Sequence, residues 1–142
     1  MVYPSQEWGQ EWCKRISESK EFNSVGMGWS NPLLIVVKDL PQQVRSTLNS
    51  ADSIAIKLYL NNGKCDKVEF FPEASKADAP YVLEGNYNTW KSVVQGTMDV
   101  VSAVLSGNIR LAKGSLFDLA RYTNAFVQLA KISTTINTKF IV

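Results

Sequence analysis

The strongest constraint on the fold of this chain is a β-hairpin between residues 53 and 71. Residues 53–60 alternate strictly, and their apolar face carries Ile54, Ile56, Leu58 and Leu60. The segment 61–64 follows, and its Asn62-Gly63 pair is typical of a tight hairpin turn. Residues 67–71 return, with Val68 and Phe70 on one face. One apolar and one mixed face predict an antiparallel sheet that is covered on a single side.

Helices are predicted before and after the hairpin in the sequence. Trp8, Trp12 and Ile16 recur every four residues, which indicates a helix over 5–21 with Ser5 as its N-cap. An apolar helical face over 100–105 ends at Gly107, and a last helix begins at Ser115. Short strands are predicted at 81–85 and 109–112. Strands that come mainly before helices indicate an α+β fold.

The length of the chain, 142 residues, is that of one domain, so we expect a single domain over 1–142. No apolar run approaches the ~20 residues that span a bilayer. The first residues contain neither a basic region nor an apolar signal core. We therefore expect a cytoplasmic protein.

The two cysteines, Cys13 and Cys65, are far apart in the sequence, and neither has a second cysteine nearby. This spacing supports neither a zinc site nor a disulfide framework. We predict two buried or half-buried thiols and no metal site.

The complete absence of histidine excludes most familiar catalytic centres. Ser-His-Asp and Cys-His nucleophilic sites need an imidazole, and so do histidine metal sites. No glycine-rich phosphate loop follows a strand, and single carboxylates such as Glu84 and Asp99 have no recognisable partner. We predict a protein that is not an enzyme and has no cofactor; an enzyme would have to rely on Asp, Glu, Lys or Tyr.

Charge is distributed unevenly along the chain. Residues 100–142 contain five Lys or Arg side chains and one acid, Asp118, whereas the earlier part has 10 basic and 12 acidic residues. The excess suggests an anionic surface or ligand near the C-terminal third, although solvated surface charge is the simpler explanation. Tyr59 and Phe71 stand alone on their strand faces, so no aromatic RNA-binding surface is predicted.

The segment from Tyr81 to Ser115 resembles the sterol carrier protein 2 (SCP2-like) family, in particular a small stand-alone member of prokaryotic type. The resemblance covers roughly 35 residues, and the final helix extends it. Its matching features are Tyr87 and Trp90 at a helix start, Gly96 and Asp99 at a step, Ser106-Gly107 and Ile109-Arg110-Leu111 at a turn and strand, and Gly114 at a hinge. The match before about residue 50 is loose.

The resemblance implies a five-stranded, mostly antiparallel sheet covered by helices, with a hydrophobic tunnel between the two layers. It also implies non-catalytic binding or transfer of a fatty acid, acyl-CoA, phospholipid or sterol-like lipid. Burial of apolar area contributes roughly 25 cal/mol per Å², so such a ligand needs an apolar channel more than precise chemistry. The expected lining residues are Ile56, Leu58, Phe70, Leu83, Leu105, Leu119 and Phe126. Arg110 and Lys113 are the candidates for contact with a charged headgroup.

A second interpretation keeps the same residues in a closed core and makes the chain a dimerisation or accessory interaction module. In that case Trp8, Trp12 or Trp29 would be exposed and would join a partner. The expected partners are therefore a hydrophobic small molecule or lipid, at most a transient membrane contact, and a second copy in a homodimer, but no nucleic acid.

Overall fold

The computed structural model describes all residues from 1 to 142. It contains one sheet of five strands and seven α-helices. The strands are β1 (Pro32–Lys38), β2 (Ile54–Asn61), β3 (Lys64–Phe71), β4 (Tyr81–Asn86) and β5 (Ile109–Lys113). The helices are α1 (Gln6–Glu18), α2 (Lys20–Val25), α3 (Gln42–Leu48), α4 (Tyr87–Val94), α5 (Val100–Leu105), α6 (Leu116–Arg121) and α7 (Thr123–Ser133). None of these helices is long and apolar enough to cross a membrane.

The sheet has the strand order β3-β2-β1-β4-β5. Strands β1 and β4 are parallel, and the other neighbouring strands are antiparallel. The α+β fold is confirmed, but the prediction of a mostly antiparallel sheet is corrected to a mixed one. The reason is the segment 72–80, which crosses over β2 and β1 and sets β4 beside β1 in the same direction.

The predicted hairpin is confirmed, with β2 and β3 joined at Asn62-Gly63. Ile54, Ile56, Leu58 and Leu60 are all buried, as their alternation requires. They belong to a core that also contains Leu33, Ile35 and Val37 of β1 and the buried faces of the helices. The opposite sheet face is not bare, because Ala79 of the segment 72–80 packs there against Leu34 and Val36.

Side-chain caps explain where most of the helices begin. Ser5 accepts a hydrogen bond from the backbone N–H of Trp8, which confirms the predicted start of α1. Ser19 does the same for Phe22 and begins a new helix, so the predicted helix over 5–21 is divided into α1 and α2. The predicted last helix does begin after Ser115, but it is divided at Tyr122 into α6 and α7.

Cys13 and Cys65 form a disulfide, so the prediction of two thiols is wrong. Cys13 lies on the buried face of α1, and that face packs against β3, where Cys65 lies opposite Leu60. The two Cα atoms are 5.3 Å apart, well within the range that a disulfide spans. The Ser17 hydroxyl adds a second link, since it donates to the Cys65 carbonyl at 3.0 Å and accepts from the Cys65 N–H at 2.8 Å.

We expect Gly63→Ala to destabilise the protein by at least about 2 kcal/mol. Gly63 has a φ of 85°, and a Cβ there would lie 2.4 Å from the Asn23 carbonyl oxygen. Gly107→Ala is the matched control, because Gly107 has a φ of 84° but no atom within 4 Å of the added carbon. It should cost only about 1 kcal/mol of backbone strain. Equal losses in urea denaturation would contradict the close approach of the hairpin tip to α2.

Candidate functional site

The candidate site is an open apolar groove between α5 and α6, with β4 and α7 at its base. Its volume is about 200 Å³, and nine of its ten lining side chains are hydrophobic. The lining residues are Leu83, Val100, Val101, Val104, Leu105, Leu116, Leu119, Ala120, Thr123 and Phe126. Thr123, the one polar member, donates its hydroxyl hydrogen within the helix region to the carbonyls of Leu119 and Ala120. The groove therefore offers apolar surface and almost no free hydrogen-bonding capacity.

A second apolar space lies inside the protein, between the sheet and the helices. It is a cavity of about 40 Å³, and 14 of its 15 lining residues are hydrophobic. Trp8 and Trp12 of α1 and Trp90 of α4 contribute to its walls. A cavity of this size is far below the ~300–1,000 Å³ of typical ligand sites, so it cannot hold an acyl chain unaided.

The groove and the cavity share three wall residues, namely Leu83, Val100 and Phe126. These three side chains border both spaces, and we call them the partition. The tunnel that the resemblance implies is therefore not confirmed: the structure has an open groove and a small cavity, with a thin apolar partition between them.

The lining residues predicted from the sequence fall into four groups. Leu83 and Phe126 lie in the partition, and Leu105 and Leu119 line the groove. Ile56 lines the cavity but not the groove. Leu58 is fully buried and Phe70 is partly buried against the core, and neither lines either space. Contact of any of them with a ligand stays a prediction.

The two proposed headgroup contacts lie outside the groove lining, and both are engaged by carboxylates. The Arg110 guanidinium donates from Nε to Glu84 Oε1 at 3.0 Å, from the face of β5 that points away from the helices. The Lys113 ammonium donates to Asp78 Oδ1 at 2.9 Å. Both pairs lie at the surface, although the Glu84 side chain is only 18% exposed, so neither contributes much to stability and each can open to an incoming anion.

Sequence reasoning did not assign six of the groove residues: Val100, Val101, Val104, Leu116, Ala120 and Thr123. The signal was present in the apolar helical patterns of 100–105 and 115–130. A pattern shows that a helix has an apolar face, but it does not show whether that face is covered.

Helix α6 is held to the sheet by one specific polar contact. The Tyr81 hydroxyl of β4 donates to Asp118 Oδ2 of α6 at 2.5 Å. This hydrogen bond to a carboxylate raises the pKa of Tyr81, with desolvation as a further contribution. Tyr81 therefore stays protonated as the donor throughout the physiological pH range, and the groove geometry is not expected to titrate there.

The tryptophans that the interaction-module hypothesis places on the surface are buried. Trp8, Trp12 and Trp29 have exposed fractions of 1%, 6% and 4%. Trp12 Nε1 donates to the Leu129 carbonyl at 3.0 Å, and Trp29 packs edge-on against Tyr122 and Phe126. They form core, and that version of the hypothesis is wrong.

No protein-family model matches the sequence, and no curated protein sequence matches it. Solved structures do match. A crystal structure of sterol carrier protein 2 aligns with a TM-score of 0.83 and 25% identity, covering 93% of this chain and 97% of that one. A conserved hypothetical protein from Thermus thermophilus, described as a candidate sterol carrier protein, aligns with a TM-score of 0.81 and 25% identity, covering 95% of this chain and 90% of that one.

More distant structures have the same architecture. A palmitated SCP2L2 from Aedes aegypti aligns with a TM-score of 0.54 and 17% identity, over 87% of this chain and 94% of its own. At that identity the match supports the fold alone. The agreement across nearly the whole chain confirms the resemblance that the segment from Tyr81 to Ser115 indicates, and this chain has an SCP2-like fold.

Proposed function

We propose that this protein binds and transfers an elongated apolar molecule, with an acyl chain as the simplest candidate, and does so without catalysis. The observation that carries the proposal is the groove between α5 and α6, which is apolar, open at the surface and adjacent to an internal cavity with which it shares Leu83, Val100 and Phe126. The likeness to a protein named as a sterol carrier supports an apolar lipid as the ligand.

The energetics of such a site favour chains over compact polar ligands. Each methylene that leaves water contributes about 0.8 kcal/mol, which is about a fourfold gain in affinity. The groove volume of about 200 Å³ is below that of a typical small-molecule site, so it accommodates part of a long chain. Binding of the remainder requires the partition to move and connect the groove with the cavity.

The chemistry of the lining supports binding rather than reaction. Thr123 is the one polar lining residue, and its hydroxyl is used inside the helix region. No group of three or more metal-ligating side chains lies together anywhere in the chain. The groove thus has no group that is placed to donate or accept a proton in a reaction.

The proposed location is the cytoplasm, as expected from the sequence. The disulfide makes this proposal testable, because most cytosolic proteins keep their thiols reduced. Alkylation of thiols in intact cells, followed by mass analysis, would report the state of Cys13 and Cys65 directly. A fully oxidised pair in every sample would move the proposal to an oxidising compartment.

We expect Ala120→Trp to weaken acyl binding at least tenfold, because the indole would fill the exposed groove that Ala120 lines. The measurement is titration with octanoate, decanoate, laurate, myristate and palmitate, followed by intrinsic fluorescence or calorimetry. In the unmodified protein the affinity should rise about fourfold per added methylene until the groove is filled.

The matched control for this titration is Ala112→Trp, the same change at an exposed residue of β5 that does not line the groove. It should leave the affinities within about twofold of the unmodified protein. Native mass spectrometry of the purified protein provides an independent test, since a co-purified acyl lipid identifies the ligand class. Absence of binding across the whole series, in a monomer that co-purifies with no lipid, would reject the proposed function.

The small volume of the internal cavity is the observation that favours the second candidate function, an accessory interaction module with a closed core. A dimeric mass together with a lipid-free spectrum would support that alternative.

A further inference from the structure

Three large hydrophobic side chains are strongly exposed beside the groove. Leu105 at the end of α5 and Phe117 in the first turn of α6 are each 83% exposed, and Leu116 is 68% exposed. Leu105 and Leu116 form opposite edges of the groove, and Phe117 lies next to Leu116 outside its lining. We call Leu105, Leu116 and Phe117 the exposed rim. Isolated exposed hydrophobic residues are ordinary, but a cluster around an apolar opening indicates a surface that another molecule covers when the protein functions.

Helix α6 shows the same imbalance as a whole. None of its six residues is buried, although four of them are apolar. It packs mainly against α7, and the Tyr81–Asp118 hydrogen bond anchors it to β4. An apolar helix held at the surface by a polar contact at its inner side leaves its outer side available to another apolar phase.

The area of the exposed rim decides between occupants. Two leucines and one phenylalanine expose on the order of 300–500 Å² of apolar surface. A stable protein interface needs about 800 Å² per partner, so the exposed rim is too small to hold a second copy of the chain. A few apolar side chains inserted into a lipid headgroup layer, in contrast, are sufficient for reversible attachment.

The charges on α6 determine how strongly attachment should depend on the charge of the lipid. Arg121, four residues after Phe117, is exposed, and no carboxylate lies within ion-pair distance of it. Arg110 and Lys113 pair with Glu84 and Asp78, and Lys38 shares Glu84. Asp118 keeps its negative charge, because the Tyr81 hydroxyl that donates to it is neutral. The opposite formal charges of Asp118 and Arg121 on α6 therefore offset each other, so attachment is expected to depend mainly on the apolar side chains of the exposed rim, and loss of Arg121 should weaken binding to anionic lipids.

We propose that the exposed rim of Leu105, Leu116 and Phe117 docks the protein onto a lipid bilayer and places the open groove against the headgroup layer. The inference rests on the proposed function and extends it, because it assigns the place where an acyl chain enters and leaves. A protein covering the same rim would close the groove, whereas a bilayer both covers it and contains the acyl chains.

The test is sedimentation with vesicles of phosphatidylcholine containing about one-quarter phosphatidylglycerol, at low and physiological salt. The unmodified protein should bind, Phe117→Ser should bind about tenfold less tightly, and the triple change Leu105→Ser, Leu116→Ser and Phe117→Ser should abolish binding. Arg121→Gln should reduce binding about fivefold at low salt and less at high salt. Val142→Ser, at an exposed apolar residue outside the groove, should bind as the unmodified protein does.

Titration with myristate in solution keeps failure of docking separate from failure of the proposed function. Phe117 does not line the groove, so Phe117→Ser should keep the affinity for myristate in solution without vesicles. Myristate binding without vesicle binding would overturn the docking inference alone, and vesicle binding without myristate binding would overturn the proposed function alone. Equal vesicle binding by the triple variant and the unmodified protein would overturn the docking inference, as would a dimer in solution that the triple change dissociates.

Discussion

Replacement of both Cys13 and Cys65 by serine is expected to lower the free energy of unfolding by about 4 kcal/mol. The disulfide closes a loop with a sequence separation of 52 residues. The loss of chain entropy in the unfolded state is worth about 3 kcal/mol for a 15-residue loop and about 4.7 kcal/mol for a 100-residue loop, and this loop lies between them. Domains of this size have a total stability of only ~5–15 kcal/mol, so the change is a large share.

The measurement is urea denaturation followed by circular dichroism, with and without reductant. The reduced unmodified protein should unfold at the midpoint of the double variant, and the double variant should not respond to reductant. The melting temperature should fall by about 12 °C, at roughly 3 °C per kcal/mol for a chain of this length. Identical midpoints for the oxidised protein and the double variant would contradict the disulfide as a stabilising link between α1 and β3.

Loss of this disulfide should change the affinity for acyl ligands much less than it changes stability. The groove is built by β4, α5, α6 and α7, and no residue of α1 lines it. The affinity for octanoate, a chain short enough for the groove, should therefore stay within about twofold at a temperature where both forms are folded. A large loss of octanoate affinity on reduction would mean that even this short chain extends into the cavity, because Trp8 and Trp12 of α1 line that space.

Local sequence signals predicted the local structure of this chain well. The hairpin of β2 and β3 follows from strict alternation and an Asn-Gly turn, both of which act between near neighbours. Ser5 and Ser115 were correctly assigned as helix caps because a cap needs only the next three residues. The α+β class follows from the order of such elements.

Contacts between distant segments were not predictable in the same way. The parallel pairing of β1 with β4 depends on the path of the segment 72–80, which no periodicity describes. The disulfide needs the packing of α1 on β3 before Cys13 and Cys65 become neighbours. The resemblance to the SCP2-like family was loose in the N-terminal part, so it did not provide this pairing either.

The candidate site was predictable only in part, for a physical reason. Ile56 and Leu58 lie two residues apart on one strand face, yet Ile56 lines the cavity and Leu58 does not. Apolar alternation records that a side chain avoids water, and this is equally true of a core and of a ligand wall. The exposed rim was missed because Phe117 has no pattern that distinguishes it from a core residue.

Replacement of Phe126 by alanine is expected to cost about 3–5 kcal/mol of stability and, at the same time, to improve binding of long acyl chains. Phe126 is buried, packs edge-on against Trp29 with ring centroids 5.3 Å apart, and forms part of the partition. Its removal leaves a void, which accounts for the loss of stability. The same void connects the groove with the cavity, so palmitate should gain at least tenfold in affinity while octanoate, which the groove already holds, should change little.

Leu58→Ala is the matched control for Phe126→Ala, because Leu58 is completely buried but lines neither space. It should cost about 2–5 kcal/mol and give no gain in affinity for any chain length. The pair of variants thus separates general loosening of the core from opening of the partition. Equal gains in palmitate affinity in both variants would mean that the ligand enters a loosened core and not an opened partition. If neither variant nor the unmodified protein bound palmitate, the closed-core interaction module would be the better description of this chain.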